Sequence, residues 1–332
     1  MRKVVIITTG GTIAMVRGIS GRSYPSEKGS FFITQIPGLD SIADVELLEF
    51  SNVPSPYMTP KDMWKLSRVV KDVSKREDVN GIVITHGTDT LEETAYFLDL
   101  TVDTEKPIVL TASMRNINEL GTDGPRNVLS SVRVAVSEKA RNMGVMVCLN
   151  DEIHSAREVT KTYTSNVATF ESPGYGPLGI VDEDTVVFFR KSLTRTVLDV
   201  EKIEERVALV KTFTGDDGSF LRLVPSLGYK GVILEGFGRG NVPPLVAEAV
   251  EEIVEKGVVV VITSRCFKGR VLDVYAYKGG GADLVKRGAI LGQEVTSQKA
   301  RIKLMVVLGR TSDPEEIRKY FETSRIGGEV KI

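Results

Sequence analysis

Residues 3–14 read Lys-Val-Val-Ile-Ile-Thr-Thr-Gly-Gly-Thr-Ile-Ala. Residues 3–8 are β-branched and almost continuously apolar, the pattern of a strand buried on both faces rather than one with a wet side. The run passes directly into Gly10-Gly11, where the backbone can turn tightly, and then presents the hydroxyl of Thr12. A basic start followed by apolar residues has the outline of an export signal. This run is too short and too β-branched for one, so it reads as a first strand.

Outward from this strand the same grammar repeats. Residues 45–50, 81–85, 108–111 and 145–149 read as further strands. Between them, 59–75, 91–100 and 127–141 have helical periodicity. The first of these helices opens with Thr59 as N-cap, Pro60 at the first helical position and Asp62 in the capping-box place. Strand-helix alternation predicts an α/β fold with a doubly wound, mainly parallel sheet. After Phe188 and Phe189 the pattern loosens. We therefore expect an N-terminal domain over 1–190, a linker over 191–205 and a smaller C-terminal α/β domain over 206–332, with strands at 208–212, 231–234 and 258–263. Helices are expected there at 245–256, 281–287, 298–307 and 314–321.

A chain of 332 residues with 42% hydrophobic and 26% charged residues can bury two cores, which argues against disorder. Its net charge of −1 provides no footprint for nucleic acid or an anionic membrane, and no apolar run of about 18 residues is present to span one. Cys148 and Cys266 stand alone, without metal-ligand or disulfide spacing, which favours a reducing, cytoplasmic setting. Only three Gln occur beside abundant Lys, Arg and Glu, a composition that leans towards life at high temperature.

In an open parallel sheet, ligands collect beyond the carboxyl ends of the strands. Two loops there stand out: Thr9-Gly10-Gly11-Thr12 after the first strand, and His86-Gly87-Thr88-Asp89-Thr90 after the third. The first lacks the later glycines of a dinucleotide fingerprint, and no phosphate-binding GxxxxGK[ST] occurs. The second also has a purely structural reading, with Thr88 or Asp89 capping the next helix.

Together, TTGGTIA and HGTDTLEETAYFLDL resemble the two signature motifs of the bacterial-type L-asparaginase family, which includes glutaminase-asparaginases. LTASMRNINELGTDGPRNV, LNDEIHSAREVTKTYTSNVATFESPGYGPLG, EGFGRGNVPP and QKARIKLMVVL follow in the family's order over nearly the whole chain. The resemblance implies hydrolysis of the L-asparagine side-chain amide without metal or organic cofactor. It makes Thr12 the nucleophile, with Thr88, Asp89 and Lys161 as a second polar cluster. A threonine hydroxyl needs a neighbouring base, and Lys161 serves only if burial keeps part of its amine neutral. Tyr24, within the glycine- and serine-rich residues 18–30, matches the family's mobile-lid tyrosine, which the resemblance implies as a catalytic residue that polarises Thr12 on closure. Asp89 would receive the substrate's α-ammonium and Ser55 its α-carboxylate, while backbone N–H groups of the two glycine loops would stabilise the oxyanion. Asn241 matches a family asparagine that reaches a neighbouring subunit's site, implying a homodimer or homotetramer.

Each assignment has a structural alternative. Lys161 can be an exposed strand lysine, Ser55 a turn former between prolines, Tyr24 a loop residue and Asn241 a helix cap. His86 and His154 lack the GxSxG elbow of a serine hydrolase, and His86 is expected to pack beneath its loop. Pro56 stands where many relatives carry Gln, and Asp273, Tyr275 and Tyr277 offer no clean match to the acidic residue of secreted members. The competing functions are a glutaminase-asparaginase, an amidase subunit of a tRNA-dependent amidotransferase and a silent amino-acid-binding protein. An amidotransferase subunit would carry an extra N-terminal region, for which a strand starting at Lys3 leaves no room.

Overall fold

A computed structural model describes residues 1–17, 23–25, 33–293 and 295–322, with the backbone alone for 14–17 and 23–25. The chain divides into two compact units, Met1–Val197 and Leu198–Ile332.

In the first unit, Lys3–Gly10 is the hub of an eight-stranded sheet. It pairs in parallel with Asp44–Val53 on one side and Val79–Thr85 on the other, after which Ile108–Thr111 and Val145–Leu149 continue the parallel run. Its side chains alternate between two cores. Val4 and Ile6 pack with Val128 and Val132 of the helix Gly124–Val136, whereas Val5 and Ile7 pack with Leu66 and Val70 of Pro60–Ser74 and with Leu91, Ala95 and Leu98 of Leu91–Thr101. Helices thus cover both faces, as a two-sided apolar strand requires.

The capping box forms as expected. Asp62 N–H donates to Thr59 Oγ1, and the Asp62 carboxylate accepts from the Thr59 N–H. The helix expected over 127–141 instead begins at Gly124 and ends at Val136, followed by a separate turn Glu138–Ala140. Ser137 adopts an extended ψ of 125°, which ends the α-helix early despite apolar periodicity beyond it. Three strands of this sheet escaped the periodicity reading: Glu152–Ser155, Gly179–Asp182 and Thr185–Phe188 extend it in antiparallel fashion. Their four-residue length hides alternation, but Asn150-Asp151, at φ 50° and 61°, was a legible hairpin signal.

The second unit holds a four-stranded parallel sheet in the order Val207–Lys211, Gly231–Gly236, Val259–Ser264, Ile290–Leu291. One face packs on Pro244–Glu255 and Gly281–Lys286 through residues such as Val246, Val250 and Leu284. The helix Ser297–Leu308 packs on the same sheet, almost wholly buried.

Candidate active site

The strands Lys3–Gly10 and Val79–Thr85, which carry the signature loops, are hydrogen-bonded neighbours, so both loops leave the same carboxyl edge of the sheet. Thr9 Oγ1 donates to Thr85 O at 3.0 Å, fastening the two strand ends together. Gly10 and Gly11 have φ of 105° and 85°, the left-handed region that a side chain resists. Space demands glycine as well: a methyl on Gly11 would lie 2.4 Å from Gly87 Cα, and one on Gly87 would lie 2.6 Å from Ser55 Oγ. Three chain segments therefore meet backbone to backbone, and each presents a hydroxyl: Thr12, Thr88 and Ser55. Thr12 opens a short turn, Thr12–Ala14, and is half-buried, with no hydrogen-bond partner for its side chain among the described residues.

Ser55 is 5% exposed. Its Oγ accepts the Asp89 N–H at 3.2 Å, which leaves its own proton free to donate to a ligand carboxylate. Thr90 Oγ1 donates to Ser55 O at 2.8 Å. Thr90, rather than Thr88 or Asp89, occupies the N-cap position of Leu91–Thr101, and its side chain does not cap. The capping reading of Thr88 and Asp89 thus fails, because Thr90 takes that place and uses its hydroxyl to clamp the Ser55 turn. Sequence reasoning missed Thr90 in this role; its place at the end of HGTDT was the available signal.

Lys161 lies on the short strand Thr160–Lys161, paired with Phe170–Glu171, and is not the exposed strand lysine that alternation suggests. Its Nζ donates to Thr88 Oγ1 at 2.9 Å and to Asp89 Oδ1 at 2.8 Å. The lysine side chain is 17% exposed and the Asp89 side chain 58%, so the carboxylate faces outward while the ammonium is sheltered behind it. Thr160 Oγ1 donates to Glu92 Oε1 at 3.2 Å, anchoring this segment to the helix that follows the Thr88 loop.

His86 packs beneath its loop, fully buried. Nδ1 lies 2.8 Å from Gly87 O and Nε2 lies 3.0 Å from Thr94 Oγ1, so the ring donates from Nδ1 and accepts the Thr94 proton at Nε2. Burial pushes its pKa down to about 4, which keeps it neutral and removes it from base chemistry near neutral pH. The contact has a geometric consequence. In a planar trans peptide the carbonyl and the following N–H point in opposite directions, so a Gly87 carbonyl turned to His86 directs the Thr88 N–H away from the ring. That N–H has no protein acceptor among the described residues.

The first unit thus brings together Ser55, Thr88, Asp89 and Lys161, with the Thr12 loop in backbone contact. Tyr24 lies on Ser23–Pro25, opposite Val16 of Met15–Arg17; its side chain and the rest of residues 18–30 lie outside the described residues. Asn241 belongs to the second unit. It does not cap the next helix, because Pro244 is the first helical residue and Pro243 takes the cap position. Its Oδ1 is buried without a hydrogen-bond partner among the described residues. Among the described residues, no group of three or more His, Cys, Asp or Glu side chains could hold a metal ion.

Residues 3–194 match the family described as Asparaginase, N-terminal, and residues 206–321 match the Glutaminase/Asparaginase C-terminal domain. The chain belongs to the asparaginase family, a family of amidohydrolases. The chain is 38% identical to an L-asparaginase of Bacillus licheniformis over 307 residues, 92% of this chain and 95% of that one. It is 36% identical to a glutaminase-asparaginase of Acinetobacter glutaminasificans over 331 residues, 96% and 98% of the two chains. The crystal structure of a probable cytoplasmic L-asparaginase from Campylobacter jejuni superposes with a TM-score of 0.87 at 34% identity, covering 97% of this chain and 99% of that one. An asparaginase-type pocket must hold a zwitterion and stabilise an oxyanion. Ser55, Asp89 and the Thr88 N–H lie on loops that meet at one carboxyl edge of the sheet.

Proposed function

We propose that this protein hydrolyses the side-chain amide of L-asparagine to L-aspartate and ammonia, with Thr12 as nucleophile. The observation that carries the reading is the Lys161 contact with both Thr88 Oγ1 and Asp89 Oδ1 beside the Thr12 loop. A ligand-holding protein needs the carboxylate but has no use for a sheltered lysine bonded to a second threonine.

In this reading Asp89 takes the α-ammonium and Ser55 donates to the α-carboxylate, placing the amide carbon at Thr12 Oγ1. Attack forms the C–O bond and an oxyanion, which accepts hydrogen bonds from loop N–H groups, with that of Thr88 held in place by His86. The proton that Thr12 Oγ1 gives up on attack reaches the departing nitrogen by way of the Thr88–Lys161 pair. Ammonia leaves as the C–N bond breaks, and water then cleaves the Thr12 ester, restoring the hydroxyl and releasing aspartate.

Ammonia release from L-Asn, D-Asn and L-Gln tests this. L-Asn turning over fastest is expected; L-Gln turning over equally well would favour a glutaminase-asparaginase, and no release from any of the three would leave a binding protein.

We read the active form as a cytoplasmic homodimer or homotetramer in which Asn241 completes a partner's site. The orphaned Asn241 Oδ1 supports this. Refolding Thr12→Ala chains together with Asn241→Ala chains should give activity above the sum of the separate preparations, because one site of each mixed dimer escapes both lesions. No gain in proven mixed dimers would return Asn241 to its own chain. We also read heat adaptation from the scarce glutamine and from the network in which Arg76 bridges Glu46 and Asp78 while Lys3 pairs with Asp78. An unfolding midpoint in the ordinary mesophile range would contradict that.

A further inference from the structure

A second cavity in the Met1–Val197 unit, of about 360 Å³, is lined by Asp99, Asn142, Ser155, Lys191, Ser192 and Arg195 among others. None of these residues belongs to the hydrolytic site. The volume falls at the small-molecule end of ligand pockets.

Its wall is built rather than loose. Residues 191–195 are fastened at both ends. Arg190 pairs with Glu158 at 2.6 Å and donates to Pro177 O, and Arg195 pairs with Asp99 at 2.9 Å and donates to Val102 O at 2.8 Å. Asp99 is 5% exposed, and its Oδ1 also accepts the Val145 N–H at 3.0 Å, so its charge is answered by the protein. Glu158 is likewise occupied, by Arg190 and by the Ser192 hydroxyl.

Several lining side chains make no hydrogen bond or ion pair among the described residues, among them Ser155 and Lys191. Ser155 is 5% exposed and lines the cavity, yet its hydroxyl has no hydrogen-bond partner among the described residues. Lys191 faces the same cavity and has no acidic partner among the described residues, although the neighbouring Arg190 and Arg195 are each paired. The lining therefore carries the ammonium of an exposed lysine and a serine hydroxyl. Those are the requirements of an oxyanion, with the apolar stem of Met143 available to the body of the ligand.

We propose that this cavity binds a small molecule bearing a carboxylate or phosphate group, held by Lys191 and the Ser155 hydroxyl. The site is independent of the hydrolytic reading and stands whether or not asparagine is the substrate.

The test is calorimetric titration of the full-chain protein with inorganic phosphate and, separately, with succinate, which lacks the α-amine that Asp89 would hold. Saturable binding of one or both is expected, weakening at high salt and at least tenfold weaker in Lys191→Ala and in Ser155→Ala, with asparagine hydrolysis retained. Tighter phosphate identifies a phosphate ester site; tighter succinate identifies a carboxylate site. No saturable binding of either overturns the proposal. So does binding that persists unchanged in Lys191→Glu, a surface variant that does not depend on the fold tolerating a change at Ser155.

Discussion

The two units each place a lysine–carboxylate pair at the carboxyl edge of a parallel sheet, and the two pairs are inverted copies of one another. Lys161 and Asp89 lie 2.8 Å apart, Lys211 and Glu235 2.9 Å. In the first pair the lysine is 17% exposed and the carboxylate 58%; in the second the lysine is 64% exposed and the carboxylate 15%. Glu235 also accepts from Ser297 Oγ at 2.6 Å through Oε2, and Ser297 is bonded at 2.9 Å to Thr263 Oγ1, so the acid is turned inward and tied to its own fold. Asp89 is turned outward, and no described residue engages the Thr12 hydroxyl on the neighbouring loop. The same edge of the same kind of sheet therefore offers a candidate site in one unit and a structural knot in the other. What separates them is whether the fold leaves polar groups open to a ligand, not strand topology.

The sharpest way to break this contrast is at the first edge. Thr12→Ala should fold normally yet lower ammonia release from L-asparagine on the order of a thousandfold or more, because the attacking atom is gone. Steady-state kinetics on the folded variant checks this, and near-parental turnover would remove Thr12 from the role. Asp89 tests the outward carboxylate. Succinamic acid, which lacks the α-amine, should be a far poorer substrate than asparagine for the parent, and Asp89→Asn should shrink that preference even as both rates fall. If the preference is unchanged, another group reads the amine.

His86 sharpens the comparison through pH. With its pKa at about 4 when folded and 6.5 in the unfolded chain, the unfolded state binds the proton first as pH falls between those values. Its contribution is whole above the unfolded value and is lost on acidification towards 4, by up to about 3 kcal/mol. Urea melts of the parent and His86→Leu at pH 7 and pH 4.5 should show a smaller acid loss in the variant. His86→Leu should also lower kcat about tenfold with KM little changed, because the loop N–H is freed to turn. His86→Asn, which keeps a donor near the Nδ1 position, should recover part of that loss. An identical acid loss in both proteins would contradict the neutral buried ring.

At the second edge the consequences are structural and smaller. Ser297→Ala should cost about 1–3 kcal/mol of unfolding free energy by stripping a buried carboxylate of a donor, with turnover per folded molecule preserved. Lys211→Ala, on the exposed side of its pair, should cost under about 1 kcal/mol. A large activity loss in Ser297→Ala would mean that the second edge is also a working site. Least of all is expected from metal removal: dialysis against EDTA should leave turnover unchanged, and activity restored by one specific metal would oppose that.

Much of the site was legible because its chemistry is carried by short contiguous motifs. Gly10-Gly11 announces a backbone that no side chain tolerates, and HGTDT places a hydroxyl and a carboxylate at a strand end. The alternating cores of Lys3–Gly10 follow from period-two geometry alone, as does the capping box from Thr59 and Asp62. Other features depend on residues far apart in sequence. The Lys161–Thr88 contact spans 73 positions, and nothing in EVTKTYTS distinguishes a sheltered lysine from an exposed one. The orientation of the two acid–lysine pairs, the His86 hold on Gly87 and the use of Thr90 as a clamp are likewise decided by packing. Local sequence determined which groups this chain owns and which strand ends they follow; only the folded arrangement decided which of those groups face one another and which stay open, because burial and hydrogen-bond partners depend on the whole surrounding surface.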